Sequence, residues 1–292
     1  METPVRFTLV NGSAEREAPP FAAPTALDAV IFDVDGTLVD SERMGHRVAF
    51  NQAFAHLGLP DRWTVDQYGE LLKIAGGRRR IATYFLHRGL EPVHCVALAD
   101  ELHPIKTSLF RDMAQKGSIP LRPGVRRLVG SLRRHGVRLF VATTGQPDWV
   151  DPLLELHFGK STFERVVTGA DVSALKPDPE VYHAVMRRAG LDPSKVVAVE
   201  DSGNGLRAAH AAGIPCLVVA NEYTGTDVAD AELVVSGFGP HAALLHGGVA
   251  PLPHGLVTLE TVASIAGRVP PMTSGRGVRR LHRLLKRRRR RT

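Results

Sequence analysis

The chain has 292 residues, of which 43% are hydrophobic, and a formal net charge of +7. This length allows one large domain or two ordinary ones, and the absence of any apolar run long enough to span a bilayer excludes a membrane-spanning protein. No basic-then-apolar segment of the kind that directs export begins the chain, so we expect a cytoplasmic protein. A monomer is compatible with this composition.

The positive charge lies at the end of the C-terminal segment, residues 251–292. Ten basic residues and no acidic one fall between residues 276 and 291, and without them 27 basic and 30 acidic residues remain. The rest of the chain therefore predicts no sequence-specific nucleic-acid partner. An apolar stripe runs among the arginines at roughly helical spacing (Val278, Leu281, Leu284, Leu285). Binding of this tail to anionic membrane or RNA is the non-enzymatic alternative for the function, beside a plain polybasic end with only nonspecific attraction to anionic surfaces.

Residues 1–26 form a stretch rich in proline and alanine. Such a stretch is a poor candidate for a packed core, and we expect a disordered extension. Residues 30–32 are Val-Ile-Phe, and a short continuous apolar run is typical of a strand in a sheet that is covered on both faces. The first element of the folded part is therefore predicted to be a buried strand.

Two carboxylates follow this strand directly, those of Asp33 and Asp35, with Gly36 behind them. In open α/β sheets, ligands bind at the carboxyl ends of the strands. Two neighbouring carboxylates repel each other unless a cation or a shared proton is present. A divalent metal is the simplest interpretation, with one carboxylate free to attack and the other to move protons. The alternative is a solvated acidic turn after a core strand.

The segment from residue 43 to residue 120 carries helical periodicity almost throughout and no clear strand pattern. An insertion of this length after the first strand predicts a separate helical domain, which we expect to lie as a cap over the carboxyl edge of the sheet. Closure of such a cap can exclude water from a reacting group beneath it.

Strand and helix patterns alternate through the rest of the chain. Strands are predicted at residues 137–143, 165–168, 196–200, 216–220 and 233–235, and helices at residues 125–134, 149–157, 180–189 and 206–212. This alternation is typical of a doubly wound, parallel α/β sheet. We therefore predict an α/β core that comprises residues 27–42 and 121–250.

Polar side chains recur near the ends of the later strands. Thr143 and Thr144 end one of them and offer hydroxyl and backbone N–H groups that suit a phosphate oxygen, although Thr-Thr-Gly is also ordinary turn chemistry. Lys176 stands beside Pro177 and can hold a compact positive charge. Each of these signals is weak when taken alone.

A second acidic pair, Glu200 and Asp201, ends the strand predicted at residues 196–200. Such a pair is hard to explain as part of a core. Beside Asp33 and Asp35 it completes an oxygen-rich pocket, and carboxylates, carbonyls, waters and substrate phosphate are the ligands that Mg²⁺ favours. We therefore expect Mg²⁺ as the cofactor.

The strand-end signals follow one another in the order Asp-x-Asp, Thr, Lys-Pro and Glu-Asp. In this order they resemble the four motifs of the haloacid dehalogenase-like hydrolases, and the helical insertion resembles the C1-type cap of that superfamily. The resemblance covers residues 27–239 and implies phosphoryl transfer through an aspartyl phosphate, with Asp33 as nucleophile and Asp35 as general acid and base.

The resemblance also implies which residues hold the metal and which hold the phosphoryl group. It assigns Mg²⁺ to the two acidic pairs, with Glu200 reaching it through water (Asp33, Asp35, Glu200, Asp201). It assigns the oxygens of the transferred phosphoryl group to the strand-end hydroxyls and the lysine (Thr143, Thr144, Lys176).

Residues 71–81, 103–107, 121–124 and 200–209 together look like the CbbY-like group of this superfamily, whose characterised members dephosphorylate xylulose 1,5-bisphosphate. In that group a Gly-Gly-x-x-Arg segment of the cap grips the distal phosphate, and a glutamate, a histidine and a hinge arginine act on the substrate side of the site. These roles map onto six residues of this chain (Gly76, Gly77 and Arg80; Glu42 and His46; Arg122).

The chain departs from the group's pattern at several positions. Gly45 looks like one extra residue between the mapped glutamate and histidine. Gly145 and Gln146 replace the hydroxyl residues common after the second motif's threonine. Arg78 and Arg79 stand where the group often has lysine and glutamate, and a triple-arginine loop would favour a second phosphate on the substrate.

The expected function is a Mg²⁺-dependent phosphatase that acts on a small phosphorylated sugar, with a sugar bisphosphate as one candidate. A sugar phosphomutase of the β-phosphoglucomutase type shares every core motif and is the enzymatic alternative. A dehalogenase is disfavoured, because that branch lacks the second aspartate of the first motif and needs no Mg²⁺.

Overall fold

The computed structural model describes residues 27–74, 76–247 and 250–268. The predicted N-terminal extension, residues 1–26, and the basic run at residues 276–291 lie outside the described residues. Within the described ranges, no helix is both long enough and apolar enough to pass through a bilayer.

One sheet of seven strands forms the centre of the described part of the chain, in the order β3-β2-β1-β4-β5-β6-β7. The strands are Ala29–Phe32 (β1), Arg138–Ala142 (β2), Arg165–Val167 (β3), Val196–Glu200 (β4), Cys216–Val219 (β5), Leu233–Val235 (β6) and Leu244–Gly247 (β7). Neighbouring strands are parallel except for β6 and β7. Phe32 at the end of β1 lies opposite Val141 of β2 and Val199 of β4. The residues that follow these three strands therefore meet at one edge of the sheet.

Helices cover both faces of this sheet. They are Val125–Arg134 (α5), Pro147–Phe158 (α6), Glu180–Ala189 (α7), Gly203–Ala211 (α8) and Leu259–Ala263 (α9). Leu128 of α5, Leu153 of α6 and Val262 of α9 belong to the apolar cluster on one face. Val185 of α7 and Leu206 of α8 belong to the cluster on the other face. The predicted class, a doubly wound and mostly parallel α/β sheet, is confirmed.

The edge of the sheet and the segment after it differ from the sequence prediction. Strand β7 pairs antiparallel with β6 and was not predicted, since Leu-Leu-His-Gly is short and lacks an alternating pattern. Val257 and Ile265 are fully buried in the same cluster as α9. The packed core therefore continues beyond residue 250, the boundary that the sequence predicts.

Among the described residues between β1 and α5, four α-helices form the cap. They are Arg47–His56 (α1), Val65–Leu71 (α2), Gly77–His87 (α3) and Pro92–Gln115 (α4). Helix α1 places Phe50, Ala53 and Phe54 on one face, because residues three and four apart lie side by side on a helix. This face packs into an aromatic cluster with Trp63 and Tyr68. The cap thus has an apolar core of its own.

A single π-helical turn, Glu42–His46, joins the core to α1. A π-turn contains one residue more than the corresponding α-helical turn, so it accommodates the extra residue noticed at Gly45. A Cβ atom at Gly45 would lie 2.8 Å from a ring carbon of Phe110 in α4. Glycine at this position therefore lets the turn pack closely against the longest cap helix.

Candidate active site

A cavity of about 680 Å³ lies between the carboxyl edge of the sheet and the cap. Most of the residues singled out in the sequence line it, and they come from both the core and the cap (Asp33, Asp35, Glu42, His46, Gly76, Gly77, Arg80, Thr144, Lys176, Glu200, Asp201). The structure therefore brings the strand-end motifs and the predicted cap residues to one space.

Asp33 is held at the end of β1 with only 7% of its surface exposed. Its backbone N–H donates to the carbonyl of Val199 at 3.0 Å, which extends the β1–β4 pairing. Lys176 Nζ donates to Asp33 Oδ1 at 2.7 Å, to Glu200 Oε1 at 2.6 Å and to the Ala142 carbonyl at 2.8 Å. The lysine is thus fixed as a buried cation between the two acidic strand ends. Burial alone would lower the pKa of Lys176, but Asp33 and Glu200 together raise it above its ordinary value.

Asp33, Glu200 and Asp201 each offer a carboxylate oxygen, and these oxygens lie within 4.8 Å of one another. Burial raises the pKa of Asp33 and of Asp201, and repulsion from neighbouring carboxylates raises both further. Burial also raises the pKa of Glu200 to about 7, although Lys176 opposes this shift. A close cluster of oxygen donors with one buried lysine among them fits a hard divalent cation such as Mg²⁺.

Two glycines allow these carboxylates to approach the backbone. Gly36 has φ +71° and a Cβ atom there would overlap Oδ2 of Asp201, so both the conformation and the space require glycine. A Cβ atom at Gly205 would overlap the carboxylate of Glu200. The glycines that follow the acidic pairs therefore belong to the construction of the site.

Asp35, His46 and Lys106 form a line of polar groups from the core to the cap. Lys106 Nζ lies 2.8 Å from His46 Nδ1, and His46 Nε2 lies 3.6 Å from Asp35 Oδ1. Burial lowers the pKa of His46 to about 3, so the imidazole is neutral. Because an ammonium group has no acceptor, Nδ1 accepts from Lys106 and Nε2 carries the hydrogen. This hydrogen faces Asp35, whose Oδ1 is buried and makes no hydrogen bond within the described residues.

Arg80 provides positive charge on the cap side of the cavity. Its guanidinium donates to the carbonyls of Leu71 at 2.9 Å and Ile74 at 3.2 Å, and it lies over the ring of Tyr68. The Tyr68 hydroxyl in turn donates to Glu42 Oε2 at 2.6 Å. These contacts hold Arg80 in place and link it to Glu42.

Of the three consecutive arginines, only Arg80 lines the cavity among the residues described there. Arg78 pairs with Asp100 on the cap surface, and Arg79 is exposed. The expectation that all three arginines form one anion-binding loop is therefore wrong for Arg78 and Arg79. Consecutive residues of a helix point in different directions, so the three side chains cannot all face the cavity.

Arg122 and Thr143 do not line the cavity. The Arg122 guanidinium donates to the carbonyls of Gly36, Val219 and Ala220, and thereby ties together the loops that follow β1 and β5. Thr143 is fully buried, and its hydroxyl accepts a hydrogen bond from the N–H of Gly145 at 3.1 Å. These contacts favour positioning roles for both residues over direct contact with a ligand.

The cavity is also lined by residues outside the predicted site, including Lys106, Trp149 and Tyr223. Tyr223 lies on the loop after β5, where the neighbouring Thr224 hydroxyl donates to the Asp201 carbonyl at 2.9 Å. A polar run, Asn-Glu-Tyr-Thr, follows the strand predicted at residues 216–220. Because that strand lies beside β4, its polar end could have been assigned to the site in the same way as the ends of β1 and β4.

A buried aspartate paired with a lysine, beside a carboxylate cluster and beneath a basic cap, defines a capped phosphoryl-transfer enzyme. The sequence profile of the haloacid dehalogenase-like hydrolases matches residues 27–213. Protein CbbY of Cupriavidus necator is 40% identical over 217 residues, which cover 72% of this chain and 84% of that protein. The chain therefore belongs to the haloacid dehalogenase-like hydrolases, in their CbbY-like group, and is a phosphoric monoester hydrolase.

Two solved structures agree with this assignment. CbbY from Rhodobacter sphaeroides in complex with phosphate has 40% identity and a TM-score of 0.57, over 68% of this chain and 88% of that one. A point mutant of the same CbbY in complex with xylulose 1,5-bisphosphate has 37% identity and a TM-score of 0.59, over 72% of this chain and 94% of that one.

Proposed function

We propose that this protein is a Mg²⁺-dependent phosphatase that hydrolyses a small phosphorylated sugar bearing a second anionic group, through an aspartyl phosphate. One observation carries the proposal: a buried aspartate–lysine pair and a fixed arginine line the same cavity. The pair suits the reacting phosphoryl group, and the arginine suits a distant anion. The complex of a CbbY mutant with a sugar bisphosphate supports the same class of substrate.

In the first step the Asp33 carboxylate attacks phosphorus, and the bond from phosphorus to the ester oxygen breaks. Asp35 gives its proton to the departing alkoxide, and burial, which raises the pKa of Asp35, supports this role. In the second step Asp35 takes a proton from a water molecule, whose oxygen attacks phosphorus and releases Asp33 and inorganic phosphate. Lys176 stays cationic throughout and stabilises the charge on the phosphoryl oxygens.

The residues that would hold Mg²⁺ are Asp33, Asp201 and the backbone carbonyl of Asp35, with Glu200 close by. When bound, the ion supplies positive charge that offsets the charge of the phosphoryl oxygens and of the carboxylate cluster. Asn221 donates to Asp201 Oδ2 at 2.6 Å and so leaves the other oxygen of that carboxylate for a ligand.

The proposal is tested by a phosphate-release screen across sugar monophosphates and bisphosphates with Mg²⁺. We expect phosphate release that requires Mg²⁺ and is fastest with a bisphosphate. Incubation with a hexose 1-phosphate is the companion assay, because a phosphomutase would convert it to an isomer without net release of phosphate. Isomerisation that exceeds phosphate release would overturn the proposal in favour of the mutase.

Replacement of Arg80 by glutamine should weaken binding of the distal anionic group of the substrate and leave binding of the reacting phosphoryl group nearly unchanged. A hydrogen bond to a charged group contributes about 1.5–3 kcal/mol, so we expect KM for a sugar bisphosphate to rise about 30-fold and KM for the matching monophosphate to rise much less. Arg79→Gln is the matched control, because Arg79 is exposed and lies outside the cavity lining. Equal effects of Arg80→Gln on both substrates would contradict the distal-anion role.

Lys106 should give substrate binding a pH dependence in the alkaline range. Burial lowers the pKa of Lys106 to about 8, so the cation is present below this pH and is lost above it. Substrate phosphates are fully ionised in this range, since their second pKa is about 6. We therefore expect KM to rise as pH increases from 7 to 9.5. In Lys106→Met the KM should be high at every pH and this rise should disappear; a rise that persists would contradict the assignment.

A further inference from the structure

The departure from the family pattern at Gly145 has a steric cause in this structure. A Cβ atom at Gly145 would overlap Cζ2 of Trp149 and would lie 2.8 Å from Cγ2 of Val150. The backbone of Gly145 is outside the left-handed region, so conformation does not demand glycine there. Space for the indole is therefore the reason that no side chain is present.

Trp149 stands in the first turn of α6, directly after the strand end that carries Thr144, and it lines the cavity. Only 6% of the surface of Trp149 is exposed, so packing against its neighbours fixes the indole. Phe110 of the cap meets it edge-to-face with ring centroids 5.2 Å apart, and His46 does so at 6.4 Å. The indole is thus held between the core and the base of the cap.

The surroundings of Trp149 define which part of a ligand it can meet. Lys176 and Thr144 line the cavity from the core, where we place the reacting phosphoryl group, and Arg80 lines it from the cap. The carbon chain of a substrate that reaches both must cross the space between them. Its C–H groups need an apolar surface, and aromatic side chains supply such surface in a fixed shape.

We infer that Trp149 is a specificity-determining residue, which packs against the carbon chain of a phosphorylated sugar and selects it over short phosphoesters. Gly145 is the matched partner that leaves room for the indole. The inference rests on the proposed function and deepens it, since it specifies how the same cavity recognises the part of the substrate between the two anions.

The kinetic test compares kcat/KM for xylulose 1,5-bisphosphate with kcat/KM for 2-phosphoglycolate. Loss of a contact with part of a substrate changes discrimination by about tenfold or more, so Trp149→Ala should lower this ratio about tenfold. Trp149→Phe should retain most of the ratio, because the ring remains. Gly145→Ser should lower the ratio like Trp149→Ala. Its effect should be much smaller in the Trp149→Ala background, where the overlap with the indole is gone and only the close contact with Val150 remains.

Activity of the wild type tests the proposed function, and the effect of Trp149→Ala on the two substrates tests the role of Trp149. If the wild-type protein releases phosphate from no sugar phosphate, the proposed function fails and this inference with it. If the wild type is active but Trp149→Ala slows both substrates equally, the residue has a structural role only, and this inference alone is overturned.

A binding measurement tests the same contact without turnover. The chain has two tryptophans, and Trp63 is fully buried in the cap. In Asp33→Asn protein, xylulose 1,5-bisphosphate should change the tryptophan fluorescence. The change should persist with Trp63→Phe and vanish with Trp149→Phe. A change that follows Trp63 would contradict contact at Trp149.

Discussion

Asp33→Asn is expected to lower phosphate release by about 10⁴-fold or more, because it removes the nucleophile of a two-step reaction. The substitution keeps the shape of the side chain and removes one charge from a cluster of three carboxylates, of which those of Asp33 and Glu200 are buried. Lys176 keeps Glu200 as a buried partner at 2.6 Å, so we expect no large loss of thermal stability. The measurement is phosphate release at saturating substrate, with a melting curve for the same sample.

Asp28→Asn is the matched control for this variant. Asp28 lies just before the other end of the same strand, is exposed and has Lys195 at 3.6 Å as its partner. Its replacement should change activity less than twofold, since exposed ion pairs contribute about 0–1 kcal/mol. Appreciable turnover by pure Asp33→Asn protein would contradict the assignment of the nucleophile.

Lys176→Met is expected to damage both activity and stability. The side chain of Lys176 is 5% exposed and pairs with Asp33 and Glu200. Removing one partner of a buried ion pair costs about 3–5 kcal/mol, because the other charges remain buried. We expect a loss of this size in the free energy of unfolding without Mg²⁺, and at least a 10³-fold loss of kcat/KM, because the phosphoryl oxygens lose a charged partner.

The stability loss in Lys176→Met should depend on Mg²⁺ and on pH. Added Mg²⁺ should restore part of the loss, since a ligand that binds only the folded state stabilises it. Burial raises the folded-state pKa of Asp33 and Asp201 above the unfolded values. Lys176 opposes this rise at Asp33, so the pKa of Asp33 should rise further in Lys176→Met. The folded variant then binds more protons than the folded wild type, and its stability falls more steeply as pH rises. The loss should therefore be larger at pH 8 than at pH 5.

Denaturant unfolding of Lys176→Met with and without Mg²⁺ measures both effects. Lys195→Met is the control, because Lys195 is exposed and pairs only weakly with Asp28. An unfolding curve for Lys176→Met that matches wild type in the absence of Mg²⁺ would contradict the view that this lysine compensates the carboxylate cluster.

The strands of the core could be predicted from the sequence because each is a continuous apolar run with a sharp polar end. β1, β2 and β4 are of this kind, and they deliver Asp33, Thr143 and Glu200 to one edge. Strand β7 has no such pattern, and it forms because the edge of β6 offers it partners. Its existence depends on tertiary pairing, which local periodicity does not record.

The site could be predicted where it depends on strand ends and not where it depends on the packing of the cap. Lys106 lies in the middle of α4, where a lysine is usually solvated, yet it is buried between Phe50 and Phe110. In the sequence, Trp149 fits the pattern of an ordinary core position on α6. Only the structure shows that its indole fills the space left by the missing side chain of Gly145. Both positions depend on how the cap meets the core.

The central claim is that the phosphoryl group is transferred to Asp33 before water releases it. Intact-mass analysis after rapid acid quench tests it in Asp35→Asn protein incubated with acetyl phosphate and Mg²⁺, because loss of the general base should slow hydrolysis of the aspartyl phosphate more than its formation from a good leaving group. We predict one added phosphoryl group, absent when Asp33→Asn is combined with Asp35→Asn. Phosphate release without any such adduct, or an adduct that persists in the double variant, would contradict the account.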